Sequence, residues 1–335
     1  MAKKESTNKS LNTLFKNKTV LIVGDVMIDA YIHGKVDRIS PEAPVPVLLE
    51  SFTEYRLGGA ANVALNIKKL GAFPLLVSII GKDKTSEILE NILQKEDISL
   101  QGLRKSQNLI TTIKTRVMSN NQQIIRIDRE KAEDLPKKEE EVLIDVFTNY
   151  LNKFKIDVAI IEDYNKGTLT QKTISRLIEI ANKNKVDVVV DPKKKNFDLY
   201  KNVTLFKPNL KEFTEGTNLK IDNSEIRHQL DKVAFDFLNK SQNKMLMVTL
   251  SEKGIYIANK KKSFHFPAHV RNIFDVSGAG DTVISVAALC LASKLNEQQI
   301  AQISNLSGGL VCEQSGVVPV SITQLNTEVL KNNLL

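Results

Sequence analysis

Short apolar runs alternate with amphipathic segments along most of the chain. The apolar runs lie at 20–23, 75–80, 157–161, 186–190, 203–206 and 245–250. Continuous runs of this length are typical of strands that are buried on both faces of a parallel sheet. Between them, apolar residues recur at helical spacing in 63–70, 85–94, 138–151, 174–181 and 226–237. This alternation predicts an α/β fold with a central, mostly parallel sheet and helices on both faces.

Two segments depart from the alternation and predict a small β-sheet lid over about 31–57 and 110–128. In the first segment, prolines at 41, 44 and 46 exclude a helix and a central strand, so the alternating residues at 45–49 indicate an edge strand. In the second segment, residues 111–117 and 123–128 flank Ser119-Asn120-Asn121-Gln122, which is a hairpin signature. We expect this hairpin to pair with the proline-rich edge strand and to complete the lid.

The two ends of the chain give different predictions. Residues 1–17 are predicted to form a loose tail, and the polar stretch 1–10 lacks the apolar core of a signal peptide. Near the other end we expect a hairpin over 254–266 and closing helices over 281–293 and about 297–313. Because the sequence has no internal repeat and no low-complexity linker, we expect a single domain over 1–335.

Composition excludes several classes of protein. The 335 residues are 42% hydrophobic and 26% charged, which is typical of a soluble globular protein. The net charge of +8 comes from scattered lysines, with few aromatic residues and no Trp, so a solvated surface is favoured over nucleic-acid binding. No apolar run approaches the roughly 18–20 residues that span a bilayer. Cys290 and Cys312 are predicted to be small core residues in apolar surroundings, which is typical of a protein in a reducing compartment, so we expect a cytoplasmic protein. From the charge pattern and the lengths of the apolar runs, we expect no nucleic-acid or membrane partner.

Two glycine-containing loops lead into predicted helices. Gly278, Ala279 and Gly280 precede Asp281 and a helix that is apolar nearly all round, and residues 58–62 precede the helix over 63–70. Glycine allows close approach of the backbone, and the free N–H groups at a helix N-terminus attract an anion. An acid in such a loop makes sense if it transfers a proton beside a phosphate. The first loop therefore indicates phosphoryl transfer, with an ordinary turn as the alternative.

Polar residues follow several predicted strands, at the sheet edge where ligands bind in open α/β folds. Asp25 and Asp29 follow the first strand, with a turn or helix cap as the alternative to ligand binding. Asn209 and Glu212 suit a hydrated Mg²⁺ with its phosphate, although the same pair could form a capping box. The segments 191–193 and 249–254 follow other strands in the same way. The sequence contains no Walker motif, no dinucleotide-binding motif and no zinc-like spacing, and the four histidines are interpreted as structural or surface residues.

These motifs resemble the ribokinase-like, or PfkB, carbohydrate kinases over essentially the whole chain. Residues 58–62 are similar to the N-terminal signature of the family, and residues 275–281 to the C-terminal one. Within the family, residues 24–29 and 37–47 resemble the D-glycero-β-D-manno-heptose 7-phosphate kinase half of the bifunctional ADP-heptose synthesis protein. That resemblance implies ATP-dependent phosphorylation at C1 of the heptose 7-phosphate, on the route to the lipopolysaccharide core.

Two features depart from the heptose kinase pattern. The sequence has no His-x-Gly-His motif and no room for a nucleotidyltransferase domain, so we expect a kinase domain alone. Lys194-Lys195-Asn196 also stands where the subfamily tends to place a glycine. Three alternatives therefore stay open: a kinase of this family for another sugar, one for a nucleoside, or a catalytically silent sugar-binding paralogue.

The resemblance also implies a role for each matched residue. Asp281 is the expected general base, and the backbone N–H groups of Gly278, Ala279 and Gly280 are the expected anion hole. The residues expected at ATP and Mg²⁺ are Asn209, Glu212 (to the metal through water), Thr249, Ser251, Gly254 and, near the adenine, Asn305. The residues expected at the sugar are Asp29, Gly58, Gly59 and Asn62, with Arg38, Lys193 or Arg126 at its phosphate. The lid is expected to close over the sugar and to pair between subunits in a homodimer.

Overall fold

Thirteen strands and ten α-helices are found in the computed structural model, which describes residues 10–120, 122–219, 225–269 and 271–335. The strands are β1 (Thr19–Gly24), β2 (Val26–Ile39), β3 (Pro46–Gly59), β4 (Phe73–Gly81), β5 (Leu103–Ser106), β6 (Thr112–Ser119), β7 (Gln122–Arg129), β8 (Val158–Glu162), β9 (Asp187–Asp191), β10 (Leu205–Phe206), β11 (Met245–Thr249), β12 (Ile255–Asn259) and β13 (Ser263–Phe266). The helices are α1 (Leu11–Phe15), α2 (Ala60–Lys69), α3 (Lys84–Lys95), α4 (Lys137–Lys153), α5 (Gln171–Lys183), α6 (Leu210–Thr217), α7 (Ile226–Ser241), α8 (Ala279–Ala292), α9 (Glu297–Cys312) and α10 (Ile322–Lys331), with short 3-10 helices at Lys194–Leu199 and Ser251–Lys253.

The large sheet has nine strands in the order β13-β12-β11-β10-β9-β8-β1-β4-β5. The seven strands from β11 to β5 in this order are parallel, and β12 and β13 add an antiparallel edge, as the predicted late hairpin requires. Along β1, Val20 and Ile22 pack into one apolar layer while Leu21 and Val23 pack into the other. Helices cover both faces, which explains the continuous apolar runs and confirms the predicted fold class.

The small sheet has four strands in the order β3-β2-β6-β7. The predicted hairpin is confirmed as β6 and β7, and the proline-rich stretch does lead into an edge strand, β3. The predicted pairing between them is wrong, because β6 pairs in parallel with β2, from Met27 to Gly34, and β3 lies at the opposite edge. The reason is that residues 26–39 form one long strand that takes the middle position, while Pro41 and Pro44 lie in the turn between β2 and β3.

The ends of the described chain pack together rather than trailing from the fold. The loose tail predicted for 1–17 is wrong for α1, whose Leu11 and Phe15 are fully buried, and residues 1–9 lie outside the described residues. The backbone N–H of Leu11 donates a hydrogen bond of 2.8 Å to Oδ1 of Asn326 in α10, a helix that was not predicted. Among the described residues, no helix is long and apolar enough to cross a membrane.

Candidate active site

Asp281 lies in the first turn of α8, and both of its carboxylate oxygens accept hydrogen bonds. Nδ2 of Asn62 donates to Oδ2 over 2.7 Å, and the hydroxyl of Tyr164 donates to Oδ1 over 2.6 Å. Burial raises the pKa of Asp281 to about 6, and the charges of Asp191 and Asp29 act in the same direction, while the two hydrogen bonds lower it. A carboxylate with a pKa in this range suits general-base catalysis near neutral pH.

The loop before α8 presents backbone N–H groups next to this carboxylate. Gly278 caps the helix with a φ of 76°, a conformation that favours glycine. The N–H groups of Gly278 and Gly280 have no hydrogen-bond partner within the described residues, whereas the N–H of Ala279 donates to the carbonyl of Val276 over 3.2 Å. Two of the three groups expected in the anion hole are therefore free to meet an anion in this conformation.

Asp275 holds this loop in place. One of its oxygens accepts a hydrogen bond of 2.9 Å from the N–H of Ser277, and the other accepts one of 2.9 Å from the N–H of Gly316. Partial burial acts to raise the pKa of Asp275, but these hydrogen bonds and the charge of Arg116 outweigh it and hold the pKa below its usual value. The group is therefore ionised at neutral pH. The carboxylate thus acts as a structural bridge between the helix-capping loop and residues 315–317.

A cleft opens in front of this loop. Its cavity volume of about 530 Å³ is large enough for a nucleotide or a drug-sized ligand. Many of the residues that the sequence singled out line it, namely Asp281, Gly278, Ala279, Gly280, Asn209, Glu212, Thr249, Ser251, Gly254, Asn305 and Lys193. Tyr164, Asp191, Lys207, His269, Arg271 and Cys312 also line it. Cys312 is half-buried at the cleft, so the prediction that both cysteines are core residues holds only for Cys290.

Asn209 and Glu212 form the capping box that was the structural alternative for this pair. The N–H of Glu212 donates to Oδ1 of Asn209 over 2.8 Å, and the N–H of Asn209 donates to Oε2 of Glu212 over 2.9 Å. The other oxygen of Glu212 pairs with Nζ of Lys193. Burial disfavours the charged form of Lys193, but Asp191 and Glu212 outweigh it and raise the pKa of this ammonium group. The pair therefore begins α6 and faces the cleft at the same time.

A buried cluster of charges lies behind the cleft. Nζ of Lys207, which is 2% exposed, pairs with Oδ2 of Asp191 over 2.7 Å. Glu162 is the neighbour of Asp191 in the register of β8 and β9, and it is fully buried. Neither oxygen of Glu162 has a hydrogen-bond partner within the described residues, and Oδ1 of Asp191 has none either. Burial raises the pKa of Glu162, and the charges of Asp191 and Asp281 raise it further.

Asp29 and the glycine pair lie on the other side of Asp281, where β2 and β3 meet. Asp29 is 5% exposed and pairs with Nη1 of Arg116 on β6. A Cβ atom at Gly58 would lie 2.4 Å from Oδ2 of Asp29, and one at Gly59 would lie 2.5 Å from the carbonyl oxygen of Asp25. Glycine is therefore required at both positions by close packing, independently of any contact with a ligand.

Asp25 has the structural role that the alternative interpretation gave it. Its carboxylate accepts hydrogen bonds of 2.9, 3.0 and 3.0 Å from the N–H groups of Tyr164, Lys166 and Thr168. These bonds fix the loop after β8, which carries the tyrosine that contacts Asp281. Asp25 is thus a support for the site rather than a group that faces a ligand.

The three basic residues expected at a sugar phosphate lie in three different places. Lys193 lies on the cleft side, with its Nζ 5.1 Å from the ring centroid of Tyr164. Arg126 lies on β7, where Nε and Nη2 donate to the two oxygens of Asp128 over 2.9 and 3.0 Å. Arg38 is exposed and lies nine residues beyond Asp29 along β2, which at about 3.3 Å per residue is roughly 30 Å of strand. Arg38 is therefore remote from Asp281 of its own chain.

Sequence reasoning missed Tyr164 and Arg116. Tyr164 follows β8 by two residues, so the rule that ligands meet the carboxyl ends of strands could have found it. Arg116 gives no such signal, because its position beside Asp29 depends on how β6 pairs with β2.

Comparison with protein families agrees with this geometry. Residues 17–324 match the pfkB family of carbohydrate kinases, and the chain belongs to that family. It is therefore a phosphotransferase that acts on a sugar hydroxyl, with ATP as the co-substrate that the family implies.

Individual proteins extend this likeness. The chain is 36% identical over 312 residues to the bifunctional protein HldE of Aliarcobacter butzleri, which covers 93% of this chain but only 64% of that protein. Phosphofructokinase-2 from Escherichia coli in complex with fructose-6-phosphate superposes with a TM-score of 0.77 at 18% identity, over 93% of this chain and 99% of that one. Ribokinase from Arabidopsis thaliana, complexed with ribose and ATP, superposes with a TM-score of 0.70 at 16% identity, over 92% and 99%. These structures show that the fold is ribokinase-like.

Proposed function

We propose that the chain phosphorylates D-glycero-β-D-manno-heptose 7-phosphate at C1 and gives the 1,7-bisphosphate. The observation that carries the kinase chemistry is the buried carboxylate of Asp281, next to the N–H groups of Gly278 and Gly280, which have no partner among the described residues. The choice of the heptose rests on the resemblance of residues 24–29 and 37–47 and on the HldE relative. This chain spans less than two thirds of that relative, so no activity beyond the kinase step is proposed.

In the proposed mechanism, Asp281 takes the proton from the anomeric hydroxyl as that oxygen attacks the γ-phosphorus of ATP. The bond between the γ-phosphorus and the β,γ-bridging oxygen breaks, and ADP leaves with the electron pair. The N–H groups of Gly278 and Gly280 stabilise the charge on the phosphoryl group in transit. Asn62 fixes the carboxylate from one side. Asn62 therefore has a positioning role here, beside the sugar contact that the resemblance implies.

The cleft residues are proposed to bind ATP on the far side of Asp281. Thr249, Ser251 and Gly254 would contact the phosphates and the ribose, and Asn305 would contact the adenine, since all four line the cleft. Asn305 also holds the cleft wall, since its Nδ2 donates to the carbonyl of Pro267 over 2.8 Å. Lys193 would contact the phosphates from its position beside Glu212.

Mg²⁺ suits the carboxylates that line this cleft. Asp191, Glu212 and Asp281 line it, and Oδ1 of Asp191 is without a partner in the described part of the chain. Mg²⁺ usually keeps several waters and takes few protein ligands, so Glu212 and Asp191 would hold it chiefly through water. When bound, the ion neutralises charge on the transferring phosphates.

The small sheet is proposed to act as the lid over the sugar and as a dimer interface. Its outer face carries Tyr55, Ile125 and Ile127, which are 40%, 55% and 55% exposed and share one face by register. An apolar face of this kind suits a second copy of the chain. We place the enzyme in the cytoplasm, where ATP is available.

A panel of sugars tests the assignment. The purified protein is incubated with ATP, Mg²⁺ and one acceptor at a time, and the products are read by phosphorus NMR. We expect a new phosphate on C1 of the heptose 7-phosphate. A phosphate on another sugar or on a nucleoside would overturn the choice of the heptose but retain the kinase activity. If no acceptor is phosphorylated, the chain would be a catalytically silent sugar-binding paralogue.

A further inference from the structure

The inner face of the small sheet brings together charged residues from all four strands. In the register of the sheet, Arg56, Asp29, Lys114 and Asp128 form one row across β3, β2, β6 and β7, and Glu54, Tyr31, Arg116 and Arg126 form the next row. This face meets the loop at 315–317, where Nη1 of Arg56 donates to the carbonyl of Ser315 over 2.8 Å. Asp275 connects the same loop to Ser277, the residue before Gly278, so the inner face adjoins the transfer site.

Arg116 and Arg126 lie directly opposite each other on β6 and β7. Like charges at directly opposed positions destabilise a sheet, so this arrangement has a cost in the unliganded protein. Asp29 pairs with Arg116 through one nitrogen, and Asp128 pairs with Arg126 through two, while the arginines keep their opposed positions. A position where a local rule is broken in this way is characteristic of a functional site.

Both arginines have nitrogen atoms without a hydrogen-bond partner among the described residues, and these could donate to an anion. Arg116 donates to Asp29 through Nη1 alone, and within the residues that the structure describes Nε and Nη2 have no hydrogen-bond partner. Arg126 uses Nε and Nη2 for Asp128 and leaves Nη1 unpaired by the same criterion. Arg56 has no unpaired nitrogen, since its three nitrogens donate to Glu54, Ser315 and Val317.

We propose that Arg116, with Arg126 opposite it, binds the phosphate group that the sugar substrate already carries. The inference rests on the proposed function, in which the acceptor is a phosphorylated sugar. Asp29 pairs with Arg116, and the contacts of Arg56 with Ser315 and of Asp275 with Ser277 and Gly316 join this face to the loop before α8, so a sugar lying along Asp29 would have one end towards the base and the other at the arginines. A guanidinium with two unpaired nitrogens suits bidentate binding of a phosphate.

The structure distinguishes the three basic residues that were candidates for the sugar phosphate on the sequence alone. Lys193 lies among the cleft residues and is already paired with Glu212, so it belongs to the ATP side. Arg38 is too far along β2 to share a small sugar with Asp281 of its own chain. Arg126 remains, as the outer and more exposed partner of Arg116, with 49% of its side chain exposed against 14%.

The test compares Arg116→Gln and Arg126→Gln with the unaltered enzyme on two acceptors, the heptose 7-phosphate and the same heptose without phosphate. We expect Arg116→Gln to raise KM for the phosphorylated sugar about 10- to 100-fold more than KM for the unphosphorylated sugar, as the loss of a charge-assisted contact implies. Arg126→Gln should give a smaller loss of the same selectivity. Arg176→Gln, at an exposed arginine on α5, is the matched control and should change neither KM.

Each outcome decides between the inference and the function on which it rests. Equal losses on both sugars would show that Arg116 acts only by holding Asp29, and would overturn the inference. Because Arg116→Gln leaves Asp29 without its partner, circular dichroism is used to check that this variant folds. If Arg116→Gln does not fold, the exposed variant Arg126→Gln still tests the inference. A wild-type enzyme that prefers other phosphorylated sugars would overturn the heptose assignment and retain the phosphate site. A wild-type enzyme indifferent to the sugar phosphate would overturn the site.

Discussion

The hydroxyl of Tyr164 donates a hydrogen bond of 2.6 Å to Oδ1 of Asp281, the oxygen that Asn62 leaves free. Burial raises the pKa of Tyr164, and the charge of Asp281 raises it further, so the tyrosine stays protonated and remains the donor. With both oxygens occupied, the carboxylate is held in one orientation before a sugar binds. The sugar hydroxyl must then share one carboxylate oxygen with Tyr164 or Asn62, or displace one of them.

The hydrogen bond from Tyr164 predicts a shift in the pH dependence of the reaction. The pKa of Asp281 is about 6, and the base acts only when ionised, so kcat/KM should fall as the pH drops through about 6. Tyr164→Phe removes a bond that lowers this pKa, so the acidic limb should move to higher pH. Tyr150→Phe, on α4, is the matched control and should leave the profile in place. A limb that does not move would show that Tyr164 is not coupled to the base.

Asp281→Asn should leave the binding of ATP and sugar nearly intact, because the amide keeps the size of the side chain. We expect kcat to fall by about 10² to 10⁴, which is the usual contribution of a general base. Steady-state kinetics and equilibrium binding of ATP separate the two effects. Turnover close to that of the unaltered enzyme would assign the proton transfer to another group.

The large sheet could be predicted from sequence because its strands leave a local pattern. Neighbouring residues such as Leu21 and Ile22 are buried on opposite faces, so an uninterrupted apolar run is itself the signal. The small sheet leaves no comparable signal for its strand order. Whether β6 pairs with β2 or with β3 is decided by contacts between residues distant in sequence, and the hairpin pattern is the same in both cases.

The same distinction applies to the site. Gly278, Gly280 and Asp281 are found because the loop and its acid are contiguous. Tyr164 and Arg116 are missed because their contacts with Asp281 and Asp29 join positions 117 and 87 residues apart. Such contacts exist only once the sheet and its loops have formed.

Gly58→Ala should destabilise the protein and disturb Asp29. A Cβ atom there lies 2.4 Å from Oδ2 of Asp29 and 2.7 Å from Cγ of Met27, and overpacking of this kind costs about 1–3 kcal/mol. Gly280→Ala is the control for stability, because the nearest atom to its Cβ is 3.8 Å away. Thermal unfolding measures both. Equal melting temperatures for the two variants would contradict the close packing described at Gly58.

Lys207→Ala should destabilise the protein strongly. It removes the ion-pair partner of the buried Asp191, which lies beside Glu162, and breaking a buried pair in this way costs about 3–5 kcal/mol. Denaturant unfolding gives the change in the free energy of unfolding. Arg176→Ala, which removes an exposed ion pair with Glu179, should give no measurable change. A small effect at Lys207 would contradict a large contribution of this buried pair to stability.

Ile127→Lys should separate the proposed dimer. Ile127 is 55% exposed on the outer face of the small sheet, so a lysine there is tolerated in a monomer but places a charge in an apolar interface. Sedimentation velocity at several protein concentrations should show a dimer for the unaltered chain and a monomer for the variant. Leu330→Lys, at an exposed apolar position on α10, is the control and should stay dimeric. A wild-type chain that sediments as a monomer at every concentration, or an Ile127→Lys variant that stays dimeric, would rule out this face as the interface.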